Sequence, residues 1–351
     1  MNKDNKNSSS IQKNTLSIFQ IAVMTTISVA SLRTLPPMAE EGRASILMYI
    51  IPAILFLIPT SLVSAEFATT YKGGIYIWIR EAFGNRMGFV AIWLQWIQNV
   101  VWYPVQLAFV AAALAFTINR GDLSNSGLFT AIVIIVVYWF STFLAFKGGN
   151  LFAKVSSIGG MIGVLIPGAI LILLGLLWVA QGQPISESYL QSSYIPKVTG
   201  ISSLVLIVSN VLSYAGMEMN AVHAGQMENP KKDFTKAIAL AFILILCVFI
   251  FPTLSIAMAV PADKLGMANG IMVAFQEFFE KFHIGWMSNI MSGAMFFGAI
   301  ASVVTWVAGP SKGLLDAGRT GLLPPILQKI NKNNVQINIL IFQGIIVTIL
   351  A

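Results

Sequence analysis

Apolar stretches of about 18 residues or more recur along the whole chain, each long enough to cross a hydrocarbon layer of about 30 Å as a helix. That recurrence leaves few folds open. A segment surrounded by lipid must satisfy its backbone internally, so it is either a helix or a strand of a closed barrel. Barrel strands run to about ten residues and alternate polar with apolar. The stretches here are longer and continuous, so the expected fold class is an all-α polytopic membrane protein. Nine spans are expected, at 16–36, 46–68, 88–117, 127–146, 157–180, 201–223, 235–259, 286–309 and 336–351. The polar residues 1–15 are expected to form a disordered cytoplasmic tail rather than a cleaved leader, ahead of a transmembrane domain at 16–351.

The distribution of positive charge tests this division, because cytoplasmic loops carry the excess of Lys and Arg. With the N-terminus inside, the inner side collects Lys3, Lys6, Lys13, Lys72, Arg80, Arg86, Lys147, Lys154, Lys231, Lys232, Lys236, Lys312, Arg319, Lys329 and Lys332. Arg33, Arg43, Arg120, Lys197, Lys264 and Lys281 fall outside or in the membrane. A missed or extra span would scramble that asymmetry. The net charge of +7 therefore reads as orientation in an anionic bilayer, with no nucleic-acid footprint. With 56% hydrophobic and 10% charged residues and a mean hydropathy of +0.78, the chain has too little polar surface for a soluble domain.

Cys247 is alone in an apolar span, and His223 and His283 lie 60 residues apart without a partner at ligand spacing. No phosphate-binding glycine loop and no nucleophile motif is present. Neither an intrachain disulfide, nor a metal or cofactor, nor an enzyme is expected.

The chemistry lies in polar groups inside the spans, which are costly in a bilayer and usually face the bundle interior. The first span runs IFQIAVMTTISVASLRTLPPMAEEG. Its small, polar middle, Ser28 to Ser31, precedes Arg33 and the Pro36-Pro37 stop, so it can open locally. The sixth span does likewise at Ser213-Tyr214-Ala215-Gly216, with Glu218 just beyond. Two interrupted spans five positions apart suit an inverted five-plus-five repeat. A broken helix offers N–H groups at one end and carbonyls at the other, which suits an amino acid zwitterion. Packing alone also explains small residues in such helices.

Gln95, Asn99, Trp102 and Gln106 fall on one helical face of the third span, lining a cavity or bonding between helices. Ser302, Thr305 and Trp306 of the eighth span carry the same two readings. Glu66, near the inner end of the second span, either carries protons or pairs with a basic neighbour. Arg33 either binds a substrate carboxylate or snorkels to the outer interface. Glu218 is deep enough for a protonation or ammonium-binding role, and His223 is expected at the inner rim.

SLRTLPPMAEEG, SAEFATTYKGGIYIWIREAFG, LSYAGMEMNAVHAGQMENPKKDF and VAGPSKGLLDAGRTGLLPP, in that order, resemble bacterial amino acid permeases of the amino acid–polyamine–organocation superfamily. Within it the chain looks most like the glutamate/GABA antiporter family and its permease relatives. The resemblance implies a leucine-transporter-like fold with alternating access in the plasma membrane, by antiport or proton coupling, with glutamate, GABA or related amino acids as substrates. It implies a substrate site at Ser28, Ala30, Ser31 and Leu32 of span one and at Ser213, Tyr214, Ala215, Gly216 and Glu218 of span six. Arg33, Trp102 and Trp306 join them as candidates, and Glu218 and Glu66 are the candidates for proton coupling.

Glu228 to Ala237 match the family's loop after span six. Span one departs from the family in lacking a glycine-rich break. Span five has no basic residue beyond Lys154, so a buried lysine in place of sodium is not available there. Family members usually have about twelve spans, so the chain is expected to be truncated by about three. The rival expectation is a non-transporting remnant or a membrane sensor or scaffold subunit. A channel has no filter motif to support it.

Overall fold

A computed structural model of the chain describes residues 16–351 apart from 72–73, 148–154, 156–157, 197–199, 221–223, 225–226 and 334. His223, Lys72, Lys154, Lys197 and the tail at 1–15 thus lie outside the described residues. The rest is helical: α1 (Ile18–Val29), α2 (Leu35–Ala39), α3 (Gly42–Thr70), α4 (Ile75–Phe83), α5 (Asn85–Thr117), α6 (Gly127–Lys147), α7 (Ile158–Ala180), α8 (Ile201–Ser213), α9 (Pro230–Ala259), α10 (Gly270–Lys281), α11 (Met287–Ala317) and α12 (Ile337–Leu350). Among the described residues, 6 helices are long and apolar enough to cross a membrane, or 7 when the bent pair of α1 and α2 counts as one span. The expected sixth and ninth spans are represented by shorter helices, α8 with 13 residues and α12 with 14.

Local chemistry sets the ends. Ser17 opens α1 with a reciprocal cap: its hydroxyl accepts from the Gln20 N–H at 3.2 Å, and the Gln20 side chain accepts from the Ser17 N–H at 2.9 Å. Pro230 starts α9 from the first helical position, and the Asp233 carboxylate accepts from the Asn229 N–H at 3.1 Å in the same turn. His283, at φ 59°, turns the chain out of α10, and its N–H bonds the Glu280 carbonyl at 3.1 Å. In the connection between α5 and α6, Arg120 donates to both oxygens of Asp122 at 2.9 and 2.8 Å, and these bonds hold the Asp122 carboxyl below the usual carboxylate range.

The helices pack in two groups. In one, α9 is the hub and gathers α1, α2 and α3, with α8 lying against α3. In the other, α5 packs along α11, and α6 and α12 close on both. Helix α7 bridges the groups, touching α9 on one side and α11 and α1 on the other. Glycine lets it come that close: β-carbons added at Gly159, Gly160 and Gly163 would run into Ala301, Ile27 and the Gly298 Cα. Opposite them, Leu173, Leu176 and Val179 are exposed, as a lipid-facing stripe requires.

A side chain at the α7–α11 contact has backbone in front of it and nowhere to move. Gly163→Leu is expected to lower the melting midpoint of the detergent-purified chain, since overpacking costs about 1–3 kcal/mol and a backbone neighbour puts it at the upper end. Leu176→Ala, on the exposed stripe, is expected to stay within about 0.5 kcal/mol of the parent. Equal midpoints for the two variants would contradict the close approach.

Candidate functional site

Helix α1 stops where its own hydroxyls begin to compete for its carbonyls. Thr26 and Ser28 turn their side chains back onto the Ala22 and Met24 carbonyls, at 2.8 and 2.9 Å. Ala30 (ψ 127°) and Ser31 (ψ 118°) are then extended, Leu32–Thr34 make one 3₁₀ turn, and α2 leaves at 45° to α1. The break uncovers backbone. Among the described residues, the carbonyls of Ile27, Ser28 and Val29 and the N–H groups of Ser31, Leu32 and Arg33 form no backbone hydrogen bond.

The sixth span comes apart at the matching place. Helix α8 ends at Ser213, and residues 214–220 are a series of turns, within the span expected at 201–223 and at the interruption read there from Ser213 to Gly216. Gly216 carries the change of direction at φ +117°, a conformation side chains disfavour. It lies against the first break, where an added β-carbon would stand 3.4 Å from Val29 Cγ2 and 3.5 Å from the Ser28 carbonyl oxygen. Asn220 closes the contact, donating to Thr25 Oγ1 and Ser28 Oγ, both at 3.3 Å. The two interruptions are therefore one place in the molecule.

The candidate residues divide around that place. Ser28, Ala30, Ser31 and Leu32 form the first break, Tyr214, Ala215, Gly216 and Glu218 the second. The half-buried Glu218 carboxylate turns back toward the N–H groups of Gly216 and of its own residue. No ion pair engages it among the described residues. Arg33 sits in the 3₁₀ turn, half-buried, with its Nε buried and without a hydrogen-bond partner among the described residues. Tyr214 points its ring away from the break: the hydroxyl donates to the Tyr49 carbonyl at 3.0 Å and the ring packs edge-on against Phe249.

Trp102 and Trp306 meet at 6.0 Å between ring centroids, inside the α5–α11 contact. The polar stripe of α5 faces inward, with Asn99 and Gln106 buried. Asn99 donates to the Gln95 carbonyl at 2.8 Å, and Gln106 Oε1 has no partner among the described residues. Glu66 stands apart, exposed one turn before α3 ends and in no ion pair among the described residues.

Thr25, Asn210 and Asn220 were not singled out by sequence reasoning. Asn220 had a visible signal, an amide at the end of the LSYAGMEMN break, whereas its acceptors lie some 195 residues away. At one end of the bundle, Leu16, Ser17 and Ile18 face Glu228, Asn229 and Asp233 across a recess of about 430 Å³, at the segment matched to the family's loop.

Comparison with known proteins gives this geometry a context. The family profile described as amino acid permease matches residues 15–351. An uncharacterized transporter of Legionella pneumophila is 39% identical over 341 residues, covering 97% of this chain and 73% of the relative. A glutamate/gamma-aminobutyrate antiporter of Lactococcus lactis subsp. cremoris is 31% identical over 339 residues, covering 95% and 67%. A probable agmatine/putrescine antiporter of Lactococcus lactis is 27% identical over 303 residues, covering 85% and 63%.

The joined breaks have a cost that can be measured. Gly216→Ala is expected to destabilise the chain by about 1–3 kcal/mol, the usual penalty for forcing a side chain into a sparsely populated backbone region. Asn220→Leu is expected to lower the melting midpoint as well. The double variant should lose less than the sum, because both residues act at one contact. Strict additivity would mean that the two breaks are independent.

Proposed function

The chain belongs to the amino acid permease family, and on that premise we propose that it is a secondary active amino acid transporter, an antiporter or proton-coupled permease. The observation that carries the proposal is the meeting of two opened spans at backbone groups that form no backbone hydrogen bond among the described residues. A bilayer-depth carbonyl or N–H without a partner is costly. Three of each beside one another in the first break are a ready receptor for an ammonium and a carboxylate held a few ångströms apart. Ser28, Ala30, Ser31 and Leu32 supply the first half of this site. Ala215, Gly216 and the backbone of Tyr214 supply the second, with Glu218 facing the ammonium or carrying a proton. Arg33 is the cationic partner for a substrate carboxylate, and the Trp102–Trp306 pair is assigned to the cavity wall. Glu66, exposed and away from the breaks, is a proton-coupling candidate only near the membrane surface.

Counting α8 and α12 as spans gives nine, arranged as part of a leucine-transporter-like five-plus-five inverted repeat. The two packing groups support this reading: one gathers spans one, two, six and seven, the other spans three, four, eight and nine. Rocking one against the other around the joined breaks would alternate access to the site. We assign the transmembrane domain to 16–351, in the plasma membrane, with a cytoplasmic N-terminal tail. Glutamate and GABA are the proposed substrates, since an antiporter of that pair is among the relatives.

In proteoliposomes preloaded with GABA, labelled glutamate is expected to enter in exchange. Absence of exchange with every amino acid tested overturns the transporter reading. Arg33→Ala is expected to weaken the apparent affinity for a carboxylate substrate about tenfold or more, as loss of a charge-assisted hydrogen bond does. Unchanged affinity removes Arg33 from the site, and the same measurement on Glu218→Gln decides that residue's part.

A further inference from the structure

Pro52 leaves a gap in the second span, and the sixth span fills it. Within α3, the Met48 carbonyl would ordinarily accept from the N–H four residues on, but that residue is Pro52, which has none. The helix loosens immediately afterwards into a π turn over Ala53–Leu57. At this depth an unpaired carbonyl needs a partner from within the protein. Asn210, buried in α8 one turn before the second break, donates its side-chain amide to that Met48 carbonyl. The next carbonyl, Tyr49, accepts from the Tyr214 hydroxyl at 3.0 Å. The Tyr49 hydroxyl is in turn hydrogen-bonded to Thr253 Oγ1 of α9 at 3.1 Å, and the Tyr49 ring stacks on Phe249. All five of these side chains are buried.

We propose that Asn210 is a positioning residue: by occupying the carbonyl that Pro52 leaves open, it fixes the end of α8, and with it the start of the break at 214–220, to the loosened turn of α3. The two sides of the break are held differently. On the α3 side the anchor is a buried amide and a buried hydroxyl on adjacent carbonyls. On the α1 side it is Asn220, with two hydrogen bonds at 3.3 Å, and a glycine contact. The second and sixth spans are consequently tied through buried hydrogen bonds, while the sixth and the first meet through longer ones. The effect on substrate binding rests on the transporter reading; the tie does not.

The tie is tested by a double-substitution cycle on the full chain in detergent. Asn210→Leu is expected to lower the melting midpoint by several degrees, because it leaves the Met48 carbonyl unpaired. In a Pro52→Ala background, residue 52 supplies its own N–H to that carbonyl, so Asn210→Leu should leave the midpoint unchanged or raise it. An equal loss in both backgrounds overturns the proposal. A second readout separates positioning from packing. Asn210→Leu and Pro52→Ala should each raise the KM for exchanged amino acid several-fold, and the double variant should recover stability but not KM. Recovery of both overturns the positioning role. If the native chain exchanges no amino acid, the transporter reading fails while the melting cycle still decides the tie.

Discussion

Every backbone polar group at membrane depth must find its partner inside the protein, and the architecture follows from how this chain meets that demand. Most of the chain meets it with uninterrupted helices. Where a helix is interrupted, the freed groups go to a side chain on another span, as the Met48 carbonyl goes to Asn210. The break in the first span meets it less completely. There three carbonyls and three N–H groups lie open among the described residues, beside a second break that Gly216 brings against it. An energetic cost tolerated at one location is the ground on which the substrate site is proposed there.

Side-chain size then decides how the rest is arranged around it. The contact of α7 with α11 is backbone against backbone at Gly163 and Gly298, and the contact of α7 with α1 runs through Gly160 and Ile27. Between helices in lipid the attraction comes from close packing rather than from exclusion of water, so such glycines contribute what leucines contribute in a soluble core. The α5–α11 contact works differently, by interlocking large rings such as Trp102 and Trp306. The bridge through α7 is thus built on small residues, and the α5–α11 contact on interlocking aromatic ones.

Much of this was legible in the sequence because membrane spans obey one dominant rule. The stretches predicted at 127–146 and 157–180 correspond to Gly127–Lys147 and Ile158–Ala180 within one residue. The seventh span begins earlier than predicted, at Pro230, because helix continues past the apolar run onto a charged turn that hydropathy does not register. The amphipathic helices Ile75–Phe83 and Gly270–Lys281 went unpredicted, being too short and too polar to read as spans. The weak points at Ser28–Ser31 and Tyr214–Gly216 were visible from small and polar residues in apolar runs. Their contact was not, because nothing local relates Gly216 to Val29.

Pro52 shows where sequence reading had a usable signal and lacked the means to follow it. A proline inside a span always frees the carbonyl four residues back, so Met48 was identifiable as an acceptor in need of a donor. The donor, Asn210, lies 162 residues away on a helix whose apolar pattern makes one asparagine look incidental. Only the packing of α8 on α3 pairs them. The same reasoning bears on Tyr214, whose place in the LSYAG motif suggested a hand in binding. With its hydroxyl spent on Tyr49 and its ring against Phe249, what this residue offers the break is its backbone, and the side chain determines where that backbone stands.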